Sequence, residues 1–169
     1  MTFEQVHRQL NDPDLATRVR TIRSLPGADL QSHQTLRFVE AILHLSGHLS
    51  LKIEALTILP QIVKPETYTE TIRVLHAAFG DPDPEVLRNG LLALQRLPAD
   101  FPFEALLSAV FTLLSAEDTD LQYHAVLSLA RVRAPRYLEE LRSRIGRLCD
   151  HPNRVLRDAA RAAVFSLHA

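Results

Sequence analysis

The chain has 169 residues, of which 46% are hydrophobic and 23% are charged, and its formal net charge is −1. This length and composition predict one folded domain and exclude an intrinsically disordered protein. No run of 18 apolar residues occurs and the start of the chain has no signal-peptide pattern, so we expect neither a membrane span nor secretion. The single cysteine, Cys149, excludes an internal disulfide and favours a cytoplasmic location.

Charge is distributed unevenly along the chain. Residues 1–25 carry a net charge of +1, residues 26–129 carry −7, and residues 130–169 carry +5. A protein that binds nucleic acid usually presents a continuous basic surface that neutralises several phosphates. The acidic middle of this chain therefore argues against DNA or RNA as its general partner.

Five pairs of helices are predicted in chain order. The first helix of each pair is expected at residues 3–10, 29–45, 66–79, 102–115 and 136–149. The second helices are predicted by aligning three residue pairs as helix starts, each read as an N-cap followed by proline at the first helical position. The pairs are Asp12-Pro13, Asp81-Pro82 and His151-Pro152. The alignment brings one small residue of each second helix into register, in steps of 34, 35, 35 and 34 residues: Thr21, Ala55, Gly90, Ala125 and Ala159.

Each small residue lies at the centre of a stripe along its helix, because the residues four positions before and after it share its face. The residues before it are Thr17, Leu51, Val86, Leu121 and Val155, and those after it are Leu25, Leu59, Leu94, Leu129 and Ala163. A small central residue allows two helix backbones to approach closely. Breakers are expected between helices at Pro26-Gly27, Pro60, Pro65, Pro98 and Pro135. No alternating pattern or hairpin signal predicts a strand.

Residues 81–94 and 151–160 resemble the second helix of a HEAT or HEAT-like (armadillo-type) repeat, and the resemblance covers nearly the whole chain. It departs from the pattern at residues 47–50 and 116–119, where no Asp-Pro pair occurs. The resemblance implies an all-α fold, an alpha-alpha superhelix in which five helix pairs stack as a right-handed solenoid and the second helices line the concave face. The single domain, 1–169, would then contain repeats at about 1–27, 28–63, 64–99, 100–134 and 135–169.

Proteins with such repeats mostly bind other macromolecules, so the resemblance implies a non-catalytic scaffold or adaptor that binds a protein or peptide through its concave face. On each second helix, the positions two and six residues after the start of the stripe point away from the buried side, and the position three residues after it flanks them. Apolar, tyrosine and arginine side chains there are typical of protein-binding patches. The predicted contact residues are Arg88, Asn89, Leu92, Tyr123, His124, Leu127, Arg157 and Arg161.

A structural role is the alternative for several of these residues. Leu92 and Leu127, together with Ile53, could belong to the core between neighbouring second helices. Arg88 and Arg157 could be struts that pair with acidic groups at the helix starts, an arrangement worth about 1 kcal/mol or less when exposed. Both interpretations stay open at the level of the sequence.

Some proteins with HEAT-like repeats are enzymes. Deoxyhypusine hydroxylases bind iron through His-Glu dipeptides, and no such dipeptide occurs here. HEAT-like DNA glycosylases hold DNA in a basic cleft with aromatic residues and a carboxylate; this chain has no tryptophan and an acidic middle, so a nucleic-acid-binding protein of that type is a weaker alternative. Phycobilin-lyase-type proteins resemble HEAT arrays too, but nothing here marks a tetrapyrrole site. We expect no catalytic residue and no cofactor.

Three further motifs carry little functional signal. His44 and His48 are four residues apart near Glu40, a spacing that suits zinc, but Gly47 is predicted to end the helix before His48. Cys149 is expected to be a buried structural thiol, because nothing in the sequence activates it. With only five glycines, the chain has no phosphate-binding loop.

An arginine cluster in the fifth repeat is the strongest charge feature. It could bind an acidic partner, or it could be a solvated face whose arginines pair with Glu139 and Glu140. Its members are Arg131, Arg133, Arg136, Arg142, Arg144 and Arg147.

The end of the fifth repeat is apolar, with Val164, Phe165 and Leu167. Solenoid ends usually have a polar outer face, so a homodimer formed through this repeat is a hypothesis. A further alternative function, suggested by size and solubility alone, is a bacterial immunity protein that neutralises a toxin.

Overall fold

The computed structural model describes residues 1–132 and 134–167, and it divides the chain into two compact units. Unit 1 comprises residues 1–97, and unit 2 begins at residue 98. In the described residues, all regular structure is helical and no strand occurs. The predicted all-α fold of helix pairs is therefore confirmed. The assignment of all 169 residues to one domain and the five repeat boundaries stay predictions.

Unit 1 contains three helix pairs. Within each pair the first helix packs on the second, α2 packs on α4, α4 packs on α6, and α3 packs on α5. The second helices of the unit therefore lie side by side in one layer. The helices are α1 (Phe3–Leu10), α2 (Leu15–Ser24), α3 (Ser32–Leu43), α4 (Leu49–Ile62), α5 (Tyr68–Phe79) and α6 (Pro84–Gln95).

Unit 2 contains two helix pairs built in the same way. Helix α7 packs on α8, α9 packs on α10, and the second helices α8 and α10 pack on each other. The helices are α7 (Leu107–Leu113), α8 (Thr119–Leu129), α9 (Leu138–Gly146) and α10 (Arg154–Ser166). Arg133, a member of the predicted arginine cluster, lies outside the described residues.

The first helices after α1 are shorter than predicted, and short 3₁₀ turns account for much of the difference. Turns at Pro65–Thr67, Phe103–Leu106 and Pro135–Tyr137 lead into α5, α7 and α9. Proline has a fixed φ and no N–H, so it suits the first turn of a helical segment. The prediction that Pro60 separates two helices is wrong, because it lies inside α4. Only one backbone hydrogen bond is lost there, and α4 ends two residues later.

The second helices begin two residues later than the alignment of Asp-Pro pairs predicts. Asp14, Asp83 and Asn153 are the N-caps, and the carboxylate of Asp83 accepts a hydrogen bond from the N–H of Glu85 at 2.9 Å. The aspartate of the pair instead folds the preceding turn, since Oδ1 of Asp81 accepts the N–H of Asp83 at 3.0 Å. The prediction of these pairs as N-caps is corrected accordingly.

The fifth repeat is also shifted by one residue from its predicted register. The N-caps of α4, α6, α8 and α10 are spaced evenly by 35 residues, at His48, Asp83, Asp118 and Asn153. Ala160, which is 0% exposed, therefore takes the buried central position predicted for Ala159. Leu156, also 0% exposed, replaces Val155, which is 63% exposed. The spacing of the two proline pairs before α6 and α10 is 70 residues, which already indicated this register.

A small residue has the predicted effect where α5 and α6 meet. A Cβ atom at Gly90 would lie 3.0 Å from the ring of Phe79 and 3.3 Å from the Cβ of Ala78. No larger side chain fits there without displacing one of these neighbours. The equivalent Ala55 and Ala125 are fully buried as well.

Candidate functional site

In unit 1 the predicted contact residues of α6 lie along one side of the helix. Arg88, Asn89 and Leu92 are half-buried, whereas the adjacent Leu91 is completely buried in the core. Arg88 forms an ion pair with Glu85 one turn earlier on the same helix. The side-chain amide of Asn89 donates a hydrogen bond to the backbone carbonyl of Glu85 at 2.7 Å. Helix α6 thus presents a guanidinium, an amide and an apolar side chain next to one another.

The neighbouring helices of unit 1 extend this row. On α4, Ile53 is half-buried and Thr57 is exposed. Arg23 of α2 donates from Nε and Nη2 to the two carboxylate oxygens of Glu54 at 2.8 and 2.9 Å. This bidentate pair joins the second helices of two repeats and neutralises both charges. We define the second-helix face of unit 1 as Arg23, Ile53, Glu54, Thr57, Arg88, Asn89 and Leu92.

In unit 2 the corresponding side of α8 carries two aromatic rings. The rings of Tyr123 and His124 make an edge-to-face contact, with centroids 5.2 Å apart and an angle of 74° between the planes. The Nε2 atom of His124 lies 3.8 Å from Oδ1 of Asp120, and the side chain is 16% exposed. Leu127 is half-buried one turn further on. We define the second-helix face of unit 2 as Tyr123, His124 and Leu127.

The remaining two predicted contact residues point towards their own repeat. Nη1 of Arg157 donates to the carbonyl of His151 at 3.0 Å. Nε of Arg161 donates to the carbonyl of Cys149 at 2.9 Å, and its Nη2 lies 3.2 Å from Oδ1 of Asp150. Both arginines therefore tie α10 to the turn that precedes it, which is the kind of structural role left open for Arg157. Owing to the register shift, Asp158 occupies the position on α10 that matches Tyr123.

The ion pair between Lys52 and Asp81 is a feature that the sequence did not reveal. Nζ of Lys52, on α4, lies 2.6 Å from Oδ2 of Asp81, and the two side chains are only 13% and 6% exposed. Burial alone would raise the pKa of Asp81. The hydrogen bond from Lys52, the N–H of Asp83 and the ammonium charge together lower that pKa below its ordinary value of 3.8. The pair pins α4 to the turn that leads into α6.

The described arginines of the fifth-repeat cluster are largely engaged within unit 2. Arg142 pairs with Glu139 at 3.1 Å and Arg144 pairs with Glu140 at 2.8 Å, as the solvated-face interpretation predicted. Arg144 also lies over the ring of Phe111, 4.3 Å from its centroid. In addition, Arg136 pairs with Glu104, and Arg131 lies over Phe103. These contacts favour a structural role for the cluster over recognition of an acidic partner.

The histidine pair His44 and His48 and the single thiol of Cys149 are the two motifs considered for metal binding or nucleophilic chemistry. Helix α3 ends at Leu43 with His44 as its C-cap, and His48 is the N-cap of α4, so the helix ends before His48 as predicted. Gly47, with a φ of 72°, lies in the turn between the two helices and does not itself end α3. Across the residues that the structure describes, no three His, Cys, Asp or Glu side chains are placed to hold a metal ion. Cys149 is a free thiol, but it is half-buried, so the prediction of a buried thiol is wrong.

None of the helices in the described part of the chain is both long enough and apolar enough to cross a membrane.

Paired helices in successive layers, with an even spacing of 35 residues, define the class of all-α helical-repeat proteins. A family model described as HEAT repeats matches residues 72–164, which is just over half of the chain. The chain belongs to the HEAT-repeat family. A search of the curated proteins gives no match.

Several solved structures share the fold. A designed armadillo repeat protein in complex with the peptide (KR)4 has a TM-score of 0.70 and 17% sequence identity, with 96% of this chain and 80% of that chain covered. A computationally designed armadillo repeat protein for modular peptide recognition has a TM-score of 0.66 and 19% identity, with 98% and 82% covered. An engineered protein has a TM-score of 0.65 and 19% sequence identity, with 97% of this chain and 78% of that chain covered. At this identity the likeness shows the fold alone.

Proposed function

We propose that this chain is a non-catalytic scaffold that binds a protein or peptide through its second-helix faces. The observation that carries the proposal is the arrangement on α4 and α6, where Ile53 and Leu92 are half-buried beside the amide of Asn89 and the hydroxyl of Thr57. Half-buried side chains on a rigid helix lose little conformational freedom when a partner binds, which favours affinity.

An extended peptide segment is the partner that suits this composition. Its backbone N–H groups need acceptors, and Oδ1 of Asn89 and the hydroxyl of Thr57 can both accept. Its apolar side chains would contact Ile53 and Leu92 in unit 1, or Tyr123 and Leu127 in unit 2. Two of the structurally similar proteins were designed for, or solved with, peptides, which supports a peptide as the class of partner.

The charges on the face of unit 1 refine the proposed partner. Arg23 is neutralised by Glu54 and Arg88 by Glu85, so this face favours neither acidic nor basic sequences. We therefore expect a peptide with apolar anchor residues, unlike the basic (KR)4 of the designed neighbour. The proposal places this interaction in the cytoplasm, where the single free thiol of Cys149 stays reduced.

The test is a selection from a random peptide display library on the full chain, followed by affinity measurements with variants. Asn89→Ala/Leu92→Ala changes the face of unit 1, and Tyr123→Ala/Leu127→Ala changes that of unit 2. The matched control, Arg73→Ala, removes a side chain of α5 that is 57% exposed. We expect selected peptides to bind the control as they bind the wild type, and to bind one face variant at least about tenfold more weakly.

The proposal fails if no peptide is enriched, or if every selected peptide binds both face variants as tightly as the wild type. Salt-sensitive retention on DNA would instead support the nucleic-acid alternative. Self-association through α10, where Val155 and Phe165 are 63% and 78% exposed, is measured in parallel by sedimentation at increasing protein concentration.

A further inference from the structure

A pocket of about 190 Å³ opens between α1, α2, α3 and α4 of unit 1, and its described lining includes no residue of the second-helix face. Its walls are mainly apolar and include Ile22, Phe38, Ile42 and Leu51. Among the described residues, no aspartate or glutamate lines it. An apolar cavity of about 150 Å³ holds a benzene molecule, so this pocket has room for an apolar group of about six to eight carbon atoms.

One cation, Arg18 of α2, also lines the pocket. Its Nε atom is buried and has no hydrogen-bond partner, and the guanidinium makes no ion pair with any residue that the structure describes. The other two arginines of α2 differ from it in this respect. Nη2 of Arg20 lies 4.0 Å from Asp14, and Arg23 pairs with Glu54 at 2.8 Å. Arg18 is therefore the member of α2 whose charge is left uncompensated.

A buried guanidinium N–H without an acceptor is unfavourable, because the loss of its hydration is not offset by a hydrogen bond. Asn11 also lines the pocket, and its side-chain NH2 donates to the carbonyl of His7 at 2.8 Å, but neither it nor any other described residue accepts from Nε of Arg18. A carboxylate at the mouth of the pocket would supply the missing charge-assisted hydrogen bonds. Because no acidic side chain occurs in the described lining, no carboxylate of the pocket would repel such an anion.

We propose that this pocket binds a small amphiphilic carboxylate, such as a medium-chain fatty acid. Its carboxylate pairs with the guanidinium of Arg18, and its apolar body lies against Phe38, Ile42 and Leu51. The volume of the pocket and the single uncompensated cation both favour a small molecule of this class over a neutral or cationic ligand.

Isothermal titration calorimetry with sodium octanoate tests the proposal on the full chain, with octylamine as the oppositely charged probe. Arg18→Gln removes the guanidinium, and the matched control Arg20→Gln removes an arginine of the same helix that is 75% exposed. Octanoate should bind the wild type and Arg20→Gln equally, and Arg18→Gln about ten- to hundredfold more weakly. Octylamine should bind the wild type and both variants weakly, with an affinity no higher than that of octanoate for Arg18→Gln.

Thermal unfolding without ligand separates a binding role of Arg18 from a structural one. Arg18→Gln should unfold at the same temperature as the wild type or at a higher one, because an uncompensated charge has been removed. A second variant, Ala41→Phe, introduces a large side chain at an exposed lining position and keeps Arg18, and it should abolish octanoate binding.

The proposal is overturned by any of four results. These are a failure of octanoate to bind the wild type at millimolar concentration, equal binding to Arg18→Gln, unchanged binding to Ala41→Phe, and equal binding of octylamine. Tighter binding of a peptide that ends in a free leucine carboxylate would also overturn it, since that result assigns the pocket to the C-terminus of a protein.

Discussion

Single residues decide how closely the helices of this chain pack. At Gly90 the missing side chain lets α6 approach Phe79 and Ala78 of α5. Gly146, the last residue of α9, is a contrasting case, because a Cβ atom there would have no neighbour within 4 Å. We therefore expect a larger side chain to have opposite effects at the two glycines.

We predict that Gly90→Leu destabilises the chain by about 2–3 kcal/mol, because the new side chain must displace a packed ring. Gly146→Ala should stabilise it by about 0.5 kcal/mol, since alanine restricts the unfolded chain and favours the helix. Urea unfolding followed by circular dichroism measures both free energies. Equal effects of the two substitutions would show that Gly90 is not at a close contact.

At this scale the helical spacing predicted outward-facing residues on the second helices of unit 1, but it did not predict which of them form ion pairs. Arg23 and Glu54 were both expected on the outward side of their helices, yet they are 31 residues apart, and nothing in the local pattern links them. Lys52 and Asp81 are 29 residues apart and were missed for the same reason. Such pairs depend on the rotamers of long side chains and on the exact offset between neighbouring helices.

At the scale of elements, buried charge holds α4 against the turn before α6. The carboxylate of Asp81 receives hydrogen bonds from Nζ of Lys52 and from the N–H of Asp83. Because both partners stabilise the ionised form, folding lowers the pKa of Asp81. The corresponding stability is complete above the ordinary pKa of 3.8, and it is lost as the pH falls through the lower pKa of the folded state.

We predict that Asp81→Asn costs about 3 kcal/mol at pH 7, since it leaves the ammonium of Lys52 nearly buried without a counter-charge. Asparagine keeps an acceptor for the N–H of Asp83, so the turn itself should persist. The double variant Lys52→Met/Asp81→Asn should recover much of the loss. Urea unfolding across pH should show the difference between Asp81→Asn and wild type shrinking below pH 3.8. A difference that does not change with pH would contradict the assigned role.

The helices themselves could be predicted well, and their ends less well. The first helix, Phe3–Leu10, matches its predicted bounds, and α4, α6 and α8 contain their predicted stripes, whereas the stripe of α10 is shifted by one residue. The starts of α5, α7 and α9 could not be placed, because proline suits a 3₁₀ turn as readily as the first turn of an α-helix. The N-caps were placed two residues early, since an aspartate before proline can fold a turn instead of capping.

At the scale of the whole molecule, a repeat of 35 residues runs from α4 to α10, and the match of residues 72–164 to the HEAT-repeat model places the chain in that family. Repeat proteins gain stability from each helix pair and from its interfaces with adjacent pairs. The sequence predicts that all 169 residues form one domain. One domain should unfold as one cooperative unit, and thermal unfolding can measure this.

We predict a single unfolding transition in scanning calorimetry, with a ratio of calorimetric to van't Hoff enthalpy of about one. Gly90→Leu in unit 1 should then shift the whole transition, including the part that reports on unit 2. Two separate transitions, of which the variant moves only one, would divide the chain into two independent domains.

The partner could not be predicted from the sequence, because repeats of this type share a scaffold and differ in the side chains they present. In the structure, two of the predicted contact residues are engaged within their own repeat and are less suited to bind a partner. Arg157 and Arg161 bind the turn before α10, while Tyr123 and Leu127 remain on the second-helix face of unit 2. The side chains of Tyr123 and Leu127 favour a partner with apolar anchor residues.

The most direct test of the scaffold proposal is site-specific photocrosslinking in the native cell. A benzophenone amino acid replaces Leu92 on α6 in one protein, Tyr123 on α8 in a second, and Tyr137, at the start of the fifth repeat, in the control; all three side chains are half-buried. We predict a discrete crosslinked protein from position 92 or position 123, and none from position 137. The same crosslinks from position 137, or none from both position 92 and position 123, would contradict the proposal.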